Sequence, residues 1–363
     1  MKEVQRAIRN ILVIQLRQIG DIVLTTPLLR LLRSTYPDAR LTFLTEPPGA
    51  ELLQGHPAVD EIVVYHRIRH RGFHNLLSYF REVLRMQREV RRRRFDLIID
   101  LLGNPGTAII TLLSGSPVRV GLDTPFRRCA YTIIVPRIPN DRRYSALQKL
   151  DFLTSLGTDT SGVSVTTDLY PSDTAIATIE RRLFECHIAP SDHLVLLCPT
   201  SPMPCRRWTP EGFARLGDLL TEQCSSRVVL TAAPDEVAYV EAVQSLMRTP
   251  TPIFSDLSLQ EFAALCTKAS VVVSNDSGAK HIAVAVGVSV VTIFGPTDEE
   301  VWNPSDRKRY PVVRVEIPCA RCGLKRDCPN GMRCMEGVGV ERVMKVVLPL
   351  PCANVSAVFS YRG

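Results

Sequence analysis

The chain has 363 residues, of which 45% are hydrophobic and 22% charged, a composition typical of folded globular domains rather than of disordered chains. This length corresponds to about two domains of ~150 residues. No apolar run reaches the ~18 residues of a membrane-spanning helix, and no signal segment follows the first residues, so we expect neither an integral membrane protein nor a secreted one. Eleven cysteines, six of them isolated in the first 300 residues, fit a reducing cytoplasm.

The net charge of +7 is concentrated in one basic stretch. Between His66 and Arg94 there are two glutamates and ten arginines: Arg67, Arg69, Arg71, Arg81, Arg85, Arg88, Arg91, Arg92, Arg93 and Arg94. The rest of the chain is close to neutral and no aromatic residues are interleaved with the last four arginines, so we expect no nucleic-acid partner. The stretch indicates either one acidic partner or surface, or a solvated helix face.

Strands and helices alternate along the chain. In the first half, apolar runs predict strands at 11–16, 40–45, 61–65, 95–102, 118–121 and 132–135, with helices at 22–34 and 75–94. In the second half, strands are predicted at 193–198, 227–231, 252–254, 269–274 and 288–294, with helices at 172–186, 210–223, 236–247, 259–268 and 279–286.

A Thr/Ser/Gly/Asp-rich stretch at 159–173 interrupts this alternation and predicts a domain boundary. We therefore expect an α/β protein with two Rossmann-like, doubly wound domains, 1–165 and 166–363. Two such domains in tandem place a ligand cleft between them, at the carboxyl ends of the strands.

The segment from Ser274 to His281 follows a buried strand and opens a helix. The first turn of a helix offers free N–H groups and a positive dipole end, which suits a diphosphate. Gly278 permits close approach of a ligand, and His281 lies one turn into the helix. The alternative is an ordinary helix cap with a packed histidine.

Two further sequence features lie where strands are predicted to end. Arg206 and Arg207 follow one strand and suit phosphate binding, because a guanidinium grips two oxygens; the alternative is a solvated pair. Asp21 follows the first strand and suits a general base for a hydroxyl nucleophile, against the alternative of an N-cap for a helix starting at Ile22. The chain has no dinucleotide-binding glycine fingerprint and no P-loop.

A Cys-rich excursion at 319–334 contains Cys319, Cys322, Cys328 and Cys334. Four thiolates within sixteen residues are able to form a structural zinc site, although the spacings after the first pair are irregular for a zinc ribbon or finger. The sequence leaves three alternatives open: zinc, two disulfides, or free thiols.

The order of these elements resembles glycosyltransferase family 9, the ADP-heptose:lipopolysaccharide heptosyltransferases. The matching segments are Gly20-Asp21-Ile-Val-Leu-Thr-Thr-Pro27, Arg206-Arg-Trp208, Asn275-Asp-Ser-Gly278 with His281, and Phe294-Gly-Pro-Thr-Asp298. The resemblance implies a GT-B fold, with the acceptor bound by 1–165 and the nucleotide-sugar by 166–363. It also implies an inverting sugar transfer from an ADP-sugar to a lipopolysaccharide-core acceptor, without a metal or any other cofactor.

The resemblance further implies roles for individual residues. Asp21 matches the family's base. Arg206 stands where the family usually has lysine, so a planar guanidinium replaces a compact ammonium. The residues that match the nucleotide-diphosphate element are Asp276, Ser277, Gly278 and His281. By spacing, Ser201 falls where the family contacts phosphates, Glu236 where it binds ribose hydroxyls, and Leu257 where the backbone contacts adenine.

The basic stretch acquires a role from the same resemblance. Lipopolysaccharide-core acceptors carry carboxylates and phosphates in an anionic membrane leaflet, so we expect Arg91, Arg92, Arg93 and Arg94 to dock there, on the cytoplasmic face of the inner membrane. The sequence leaves open which core sugar is the acceptor, whether another nucleotide-sugar is used, and whether the chain is a non-catalytic binding protein on the same fold.

Overall fold

The computed structural model describes residues 8–66, 73–324 and 328–350, and at 73–77 and 79 it describes the backbone alone. Arg67, Arg69 and Arg71 of the predicted basic stretch therefore lie outside the described residues. The chain forms two compact units, one of residues 1–141 with 145–167 and the other of 142–144 with 168–363. The predicted boundary followed residue 165, and the first unit ends at Thr167.

The described part of the first unit contains a six-stranded sheet and six α-helices. Strands β1–β6 are Asn10–Ile14, Arg40–Thr45, Glu61–Val64, Leu97–Asp100, Val118–Leu122 and Ile133–Val135. Helices α1–α6 are Ile19–Val23, Thr26–Thr35, Pro47–Leu53, Phe73–Arg92, Pro105–Leu112 and Ser145–Thr154.

The first sheet is parallel throughout, with the strand order β3-β2-β1-β4-β5-β6. The central strands β1 and β4 are almost entirely buried, because helices cover both faces of such a sheet. The order reverses between β1 and β4, and ligands of doubly wound folds bind at the carboxyl ends of the strands at this point. The residues after Ile14 and Asp100 therefore lie where a ligand is expected.

The second unit repeats the same plan. Its strands β7–β12 are Leu194–Cys198, Arg227–Thr231, Ile253–Phe254, Val271–Asn275, Ser289–Ile293 and Val312–Val313. Its α-helices in the described ranges, α7–α14, are Asp173–Glu185, Pro210–Cys224, Val237–Ser245, Leu259–Lys268, Gly278–Ala285, Glu299–Trp302, Arg333–Glu336 and Val340–Val347. Short 3₁₀ helices at Pro204–Arg206 and Pro234–Glu236 lie in the loops after β7 and β8.

The second sheet is also parallel, in the order β9-β8-β7-β10-β11-β12, and its order reverses between β7 and β10. Both central strands are buried along their whole length. One core cluster joins them to the apolar side of α8, to Trp208 and to the C-terminal helix α14, which contributes Val343 and Val347. The core thus fixes the two loops that leave β7 and β10, and these loops carry most of the predicted nucleotide-sugar residues.

Two predictions about the helices need correction. The predicted helix 22–34 is two helices, α1 and α2, because Pro27 favours the start of a new helix, where its missing N–H is not needed. The structure also contains helices that were not predicted, among them α3, α5 and α6. Within the described ranges, no helix is both long enough and apolar enough to span a bilayer.

Candidate functional site

The turn from β10 into α11 presents the first turn of that helix without a side-chain cap. Ser277 is the N-cap residue, but its side chain makes no capping hydrogen bond. Of the alternative that the sequence left open, the side-chain cap is absent at Ser277, whereas the packed histidine is present, because His281 is buried against Trp302. Ser277 and Gly278 are half-buried, so backbone N–H groups of the first turn are available to an anionic ligand.

A cluster of buried charges lies against this turn. Lys280 is fully buried, and its ammonium donates hydrogen bonds to Oδ1 of Asp276 at 2.6 Å and to the carbonyl of Trp302 at 2.8 Å. The same ammonium lies 4.9 Å from the ring centroid of Phe294. Arg206 contacts the other carboxylate oxygen of Asp276 at 3.4 Å. Two cations therefore share one carboxylate, which leaves the cluster with a net positive charge.

The electrostatics of the cluster keep Asp276 charged and His281 neutral. Burial alone would raise the pKa of Asp276, but the ammonium of Lys280 and the guanidinium of Arg206 lower it below its ordinary value. Burial lowers the pKa of His281 well below its ordinary value, and the neighbouring Lys280 lowers it further. No protein group in the described ranges hydrogen-bonds the His281 ring, which packs edge-on against Trp302. A neutral imidazole at this position is suited to hydrogen-bonding a ligand oxygen.

Asn275 fixes the loop of 199–208 beside the cluster. Its amide donates to the carbonyl of Pro199 at 2.7 Å, and its Oδ1 accepts from the backbone N–H of Trp208 at 2.9 Å. Ser201 and Trp208 are both 1% exposed, so the loop is held at both ends. Nε of Arg206 is buried and has no hydrogen-bond partner in the described part of the chain. A buried guanidinium N–H without an acceptor indicates a place for a ligand oxygen.

Arg207 has a structural role that the sequence did not separate from phosphate binding. Its Nε donates to the Ser201 carbonyl at 2.8 Å, and its Nη2 lies 3.3 Å from Oε1 of Glu236. The guanidinium also packs over the Tyr239 ring at 4.7 Å. Arg207 therefore joins Ser201, in the loop after β7, to Glu236, in the loop after β8. Leu257 lies half-buried in the loop after the outermost strand β9.

Asp21 lies in the first turn of α1, at the carboxyl end of β1. The alternative role of Asp21 as an N-cap is wrong, because α1 begins earlier and Gln18 occupies the capping position. The side chain of Asp21 is 30% exposed, and its Oδ1 lies 3.6 Å from Nζ of Lys149, which is 9% exposed on α6. The carboxylate is thus accessible to a ligand and has a buried cation beside it.

Asp100 lies at the carboxyl end of β4, on the other side of the point where the strand order reverses, and it holds the loop that follows β4. It is fully buried at the end of β4, and it accepts hydrogen bonds from the N–H of Gly103 at 2.9 Å and from the Tyr131 hydroxyl at 2.8 Å. Burial raises the pKa of Asp100, although these hydrogen bonds oppose the shift. Tyr131 lies against Gly121, where any Cβ would clash with the ring. This network holds the loop after β4 in place. Its carboxylate, Asp100, is fully buried and is therefore not accessible to a substrate.

Helix α4 lies within the basic stretch, which continues beyond the end of the helix to Arg94. Arg91, Arg92 and Arg94 are exposed and have no acidic partner in the described ranges. Arg93 differs, because it forms ion pairs with Glu61 and, at 2.9 Å, with Glu89. Three of the four predicted docking arginines therefore point to solvent, and the fourth joins α4 to β3.

The four clustered cysteines, Cys319, Cys322, Cys328 and Cys334, are all free thiols. They line one small cavity together with Cys205 from the loop after β7. In residues 8–66, 73–324 and 328–350, no three His, Cys, Asp or Glu side chains are arranged to hold a metal ion. Of the three alternatives that the sequence left open, this arrangement corresponds to free thiols. Cys205 also donates to the Leu324 carbonyl, which connects the excursion to the loop that carries Arg206.

Sequence reasoning missed two residues of these sites, Lys149 and Lys280. The available signal was composition: only seven of the 44 basic residues are lysines, namely Lys2, Lys149, Lys268, Lys280, Lys308, Lys325 and Lys345. Lys149 also interrupts the apolar stripe of α6 formed by Ala146, Leu150 and Leu153. A lysine within an apolar stripe, in a chain that otherwise uses arginine, indicates a buried cation.

The lowered pKa of His281 predicts an acid-sensitive second unit. Below pH ~6.5 the unfolded chain binds a proton that the folded His281 excludes, so stability is full above this pH and falls as the pH decreases. When the pH falls from 7.5 to 5.5, we expect the unfolding free energy of the wild type to decrease by about 1.4 kcal/mol more than that of His281→Gln. Urea unfolding of both proteins across this range measures the difference, and parallel profiles would contradict the prediction.

Solved structures with the same architecture define the class of fold. A glycosyl transferase family 9 protein from Veillonella parvula superposes with a TM-score of 0.81 over 94% of this chain and 97% of its own, at 22% identity. The Escherichia coli ADP-heptose LPS heptosyltransferase II superposes with a TM-score of 0.74 over 94% and 98%, at 18% identity. The chain accordingly has the two-domain, Rossmann-like GT-B fold, as predicted.

The sequence comparisons identify the family. The family model for "Glycosyltransferase family 9 (heptosyltransferase)" matches residues 83–332, more than half of the chain. Lipopolysaccharide heptosyltransferase 3 of Escherichia coli is 28% identical over 295 residues, which cover 78% of this chain and 83% of that protein. The chain belongs to glycosyltransferase family 9 and is a glycosyltransferase, which confirms the predicted family and enzyme class.

Proposed function

We propose that the protein transfers a heptose from ADP-heptose to a sugar of the lipopolysaccharide inner core. Family membership supports a heptosyl transfer, and the names of the related Escherichia coli enzymes specify ADP-heptose and lipopolysaccharide. The observation that carries the proposal is the cation-rich cluster of Arg206, Asp276 and Lys280 beside the uncapped start of α11. This arrangement suits the diphosphate of a nucleotide-sugar.

The second unit is proposed to bind the donor. Arg206 and the first N–H groups of α11 hold the diphosphate, and His281 donates to one of its oxygens or to the sugar. Ser201 faces the phosphates, Glu236 binds the ribose hydroxyls and the backbone near Leu257 contacts the adenine. Asp276 holds Arg206 in place until the diphosphate arrives. Because these protein cations absorb the charge of the leaving ADP, the transfer is proposed to proceed without a metal ion.

The first unit is proposed to supply the base. The acceptor hydroxyl forms a bond to the anomeric carbon of the heptose while the bond from that carbon to the phosphate oxygen breaks. Asp21 takes the hydroxyl proton, and ADP leaves with the electron pair of the broken bond. Attack on the face opposite to the leaving group inverts the anomeric configuration.

The donor assignment is tested by nucleotide binding. Calorimetric titration with ADP, UDP, GDP and dTDP, each with Mg²⁺ and with EDTA, is expected to show preferential ADP binding that EDTA does not change. Preference for another base would keep a glycosyltransferase with a different donor. Absence of binding by all four would favour a non-catalytic protein on the same fold. Transfer is then measured with ADP-heptose and inner-core oligosaccharides.

Helix α4 is proposed to dock on the anionic membrane surface that carries the acceptor. Phe80 and Leu84 are 49% and 45% exposed and lie one turn apart, and Arg88 and Arg91 continue the same side of the helix. Exposed apolar residues flanked by arginines are typical of helices that lie in a membrane interface. The protein is accordingly expected on the cytoplasmic face of the inner membrane.

We expect the triple variant Arg91→Gln/Arg92→Gln/Arg94→Gln to bind anionic vesicles about 100-fold more weakly, since each arginine near such a surface contributes about 1 kcal/mol. Co-sedimentation with vesicles containing phosphatidylglycerol, and with phosphatidylcholine alone, measures this effect. Arg181→Gln/Arg215→Gln/Arg342→Gln removes the same charge from exposed positions of the second unit and serves as the control. An equal loss in both variants, or equal loss of activity on lipid-embedded and soluble acceptors, would contradict docking by α4.

A further inference from the structure

Lys149 is a buried cation with an incomplete set of partners. It lies on the apolar side of α6, between Ala146 and Leu153, and is 9% exposed. The side chain as a whole is 11% exposed, so most of its aliphatic part packs within the protein. A buried charge is costly unless it is paired and hydrogen-bonded, so its partners require an explanation.

The single ion pair of Lys149 in the described part of the chain is with Asp21, at 3.6 Å. This distance exceeds that of a hydrogen bond, and no other carboxylate or carbonyl in the described ranges accepts from the ammonium. A lysine ammonium has three N–H donors. The separation between Nζ and Oδ1 suits an oxygen bound beside both groups, one that accepts from Lys149 and donates to Asp21. A hydroxyl group is such an oxygen.

We propose that Lys149 and Asp21 together hold the nucleophilic hydroxyl of the acceptor. This inference rests on the proposed function, in which Asp21 is the base. Lys149 donates a hydrogen bond to the hydroxyl oxygen, which turns the hydroxyl proton towards Asp21. The ammonium keeps its own protons throughout: the hydroxyl proton passes to Asp21, and the oxygen forms its new bond to the anomeric carbon. The positive charge beside the oxygen favours loss of the proton.

The test compares wild type and Lys149→Met with two ligands of the acceptor site. One is the inner-core oligosaccharide that serves as acceptor in the transfer assay, and the other is its analogue deoxygenated at the accepting position, measured as an inhibitor. We expect Lys149→Met to lower kcat/KM for the acceptor by about 10- to 100-fold, the usual effect of losing a charged hydrogen bond. The inhibition constant of the deoxy analogue should not change, because the analogue lacks the oxygen that Lys149 binds. The KM for ADP-heptose should also stay the same.

Three further variants separate this role from a structural one. Lys149→Arg retains a donor and should recover part of the activity, whereas Lys345→Met removes an exposed lysine and should behave as wild type. If Lys149 and Asp21 act on the same hydroxyl, adding Lys149→Met to Asp21→Asn should cost little more than Asp21→Asn alone. Equal weakening of the acceptor and the deoxy analogue, or wild-type kinetics in Lys149→Met, would overturn the inference.

The outcome also distinguishes this inference from the proposed function. Heptose transfer by the wild type, loss of transfer in Asp21→Asn and normal kinetics in Lys149→Met would overturn the role of Lys149 alone. Failure of the wild type to transfer heptose, or full activity in Asp21→Asn, would overturn the proposed function and the inference with it.

Discussion

Replacing Asp21 with asparagine is expected to abolish sugar transfer while leaving nucleotide binding intact. Removal of a general base lowers kcat by about 10²- to 10⁴-fold, because the attacking hydroxyl must then lose its proton without assistance. Asparagine retains the size of the side chain but does not accept the proton. The residues proposed to bind ADP all belong to the second unit, and Asp21 belongs to the first, so the affinity for ADP should be unchanged.

The measurement is steady-state transfer with saturating ADP-heptose, accompanied by calorimetric titration of ADP. Asp38→Asn serves as the matched control, because Asp38 is an exposed carboxylate of the same unit, outside the candidate site. Near-normal turnover by Asp21→Asn would place the base elsewhere. A parallel loss of turnover and of ADP binding would instead indicate that the substitution disturbs folding.

Lys280→Met is expected to produce the largest loss of stability. Lys280 is fully buried, and the side chain of its partner Asp276 is 4% exposed. Methionine fills a similar volume but leaves the carboxylate without its ammonium, and breaking a buried ion pair from one side typically costs about 3–5 kcal/mol. Arg206 contacts Asp276 at 3.4 Å and replaces only part of the lost interaction.

Denaturant unfolding of Lys280→Met and of the double variant Lys280→Met/Asp276→Asn separates the cost of the lone charge from the loss of packing. The double variant should recover most of the stability, because the uncompensated carboxylate is gone. It should not recover ADP affinity if Asp276 orients Arg206 for the diphosphate. Lys345→Met, on the exposed side of α14, is the control for loss of a lysine. A stability loss in Lys280→Met no larger than in this control would contradict the prediction.

The regular part of the fold was predictable because buried parallel strands are continuous apolar runs. The predicted ranges 40–45, 227–231 and 259–268 coincide with β2, β8 and α10. Short helices such as α3 and α12 were not predicted, because seven or four residues carry too little periodicity to distinguish a helix from a loop. The order of the motifs along the chain was enough to indicate the family. Each motif follows the end of a predicted strand, so both its position and its residues are visible in the sequence.

The sequence by itself determined the α/β class, the two-unit organisation and the positions of Asp21, Arg206 and Asp276 after strand ends, because these depend on local hydrophobic patterns and on motif order. The tertiary structure alone decided which charges are buried and with which partners. The i,i+4 spacing of Asp276 and Lys280 permits an ion pair, but its burial depends on Phe294 and Trp302, which lie beyond the helix. Lys149 meets Asp21 only because α6 returns to the carboxyl end of β1. Burial and ion pairing between distant segments depend on how the elements pack, and local sequence patterns do not encode that packing.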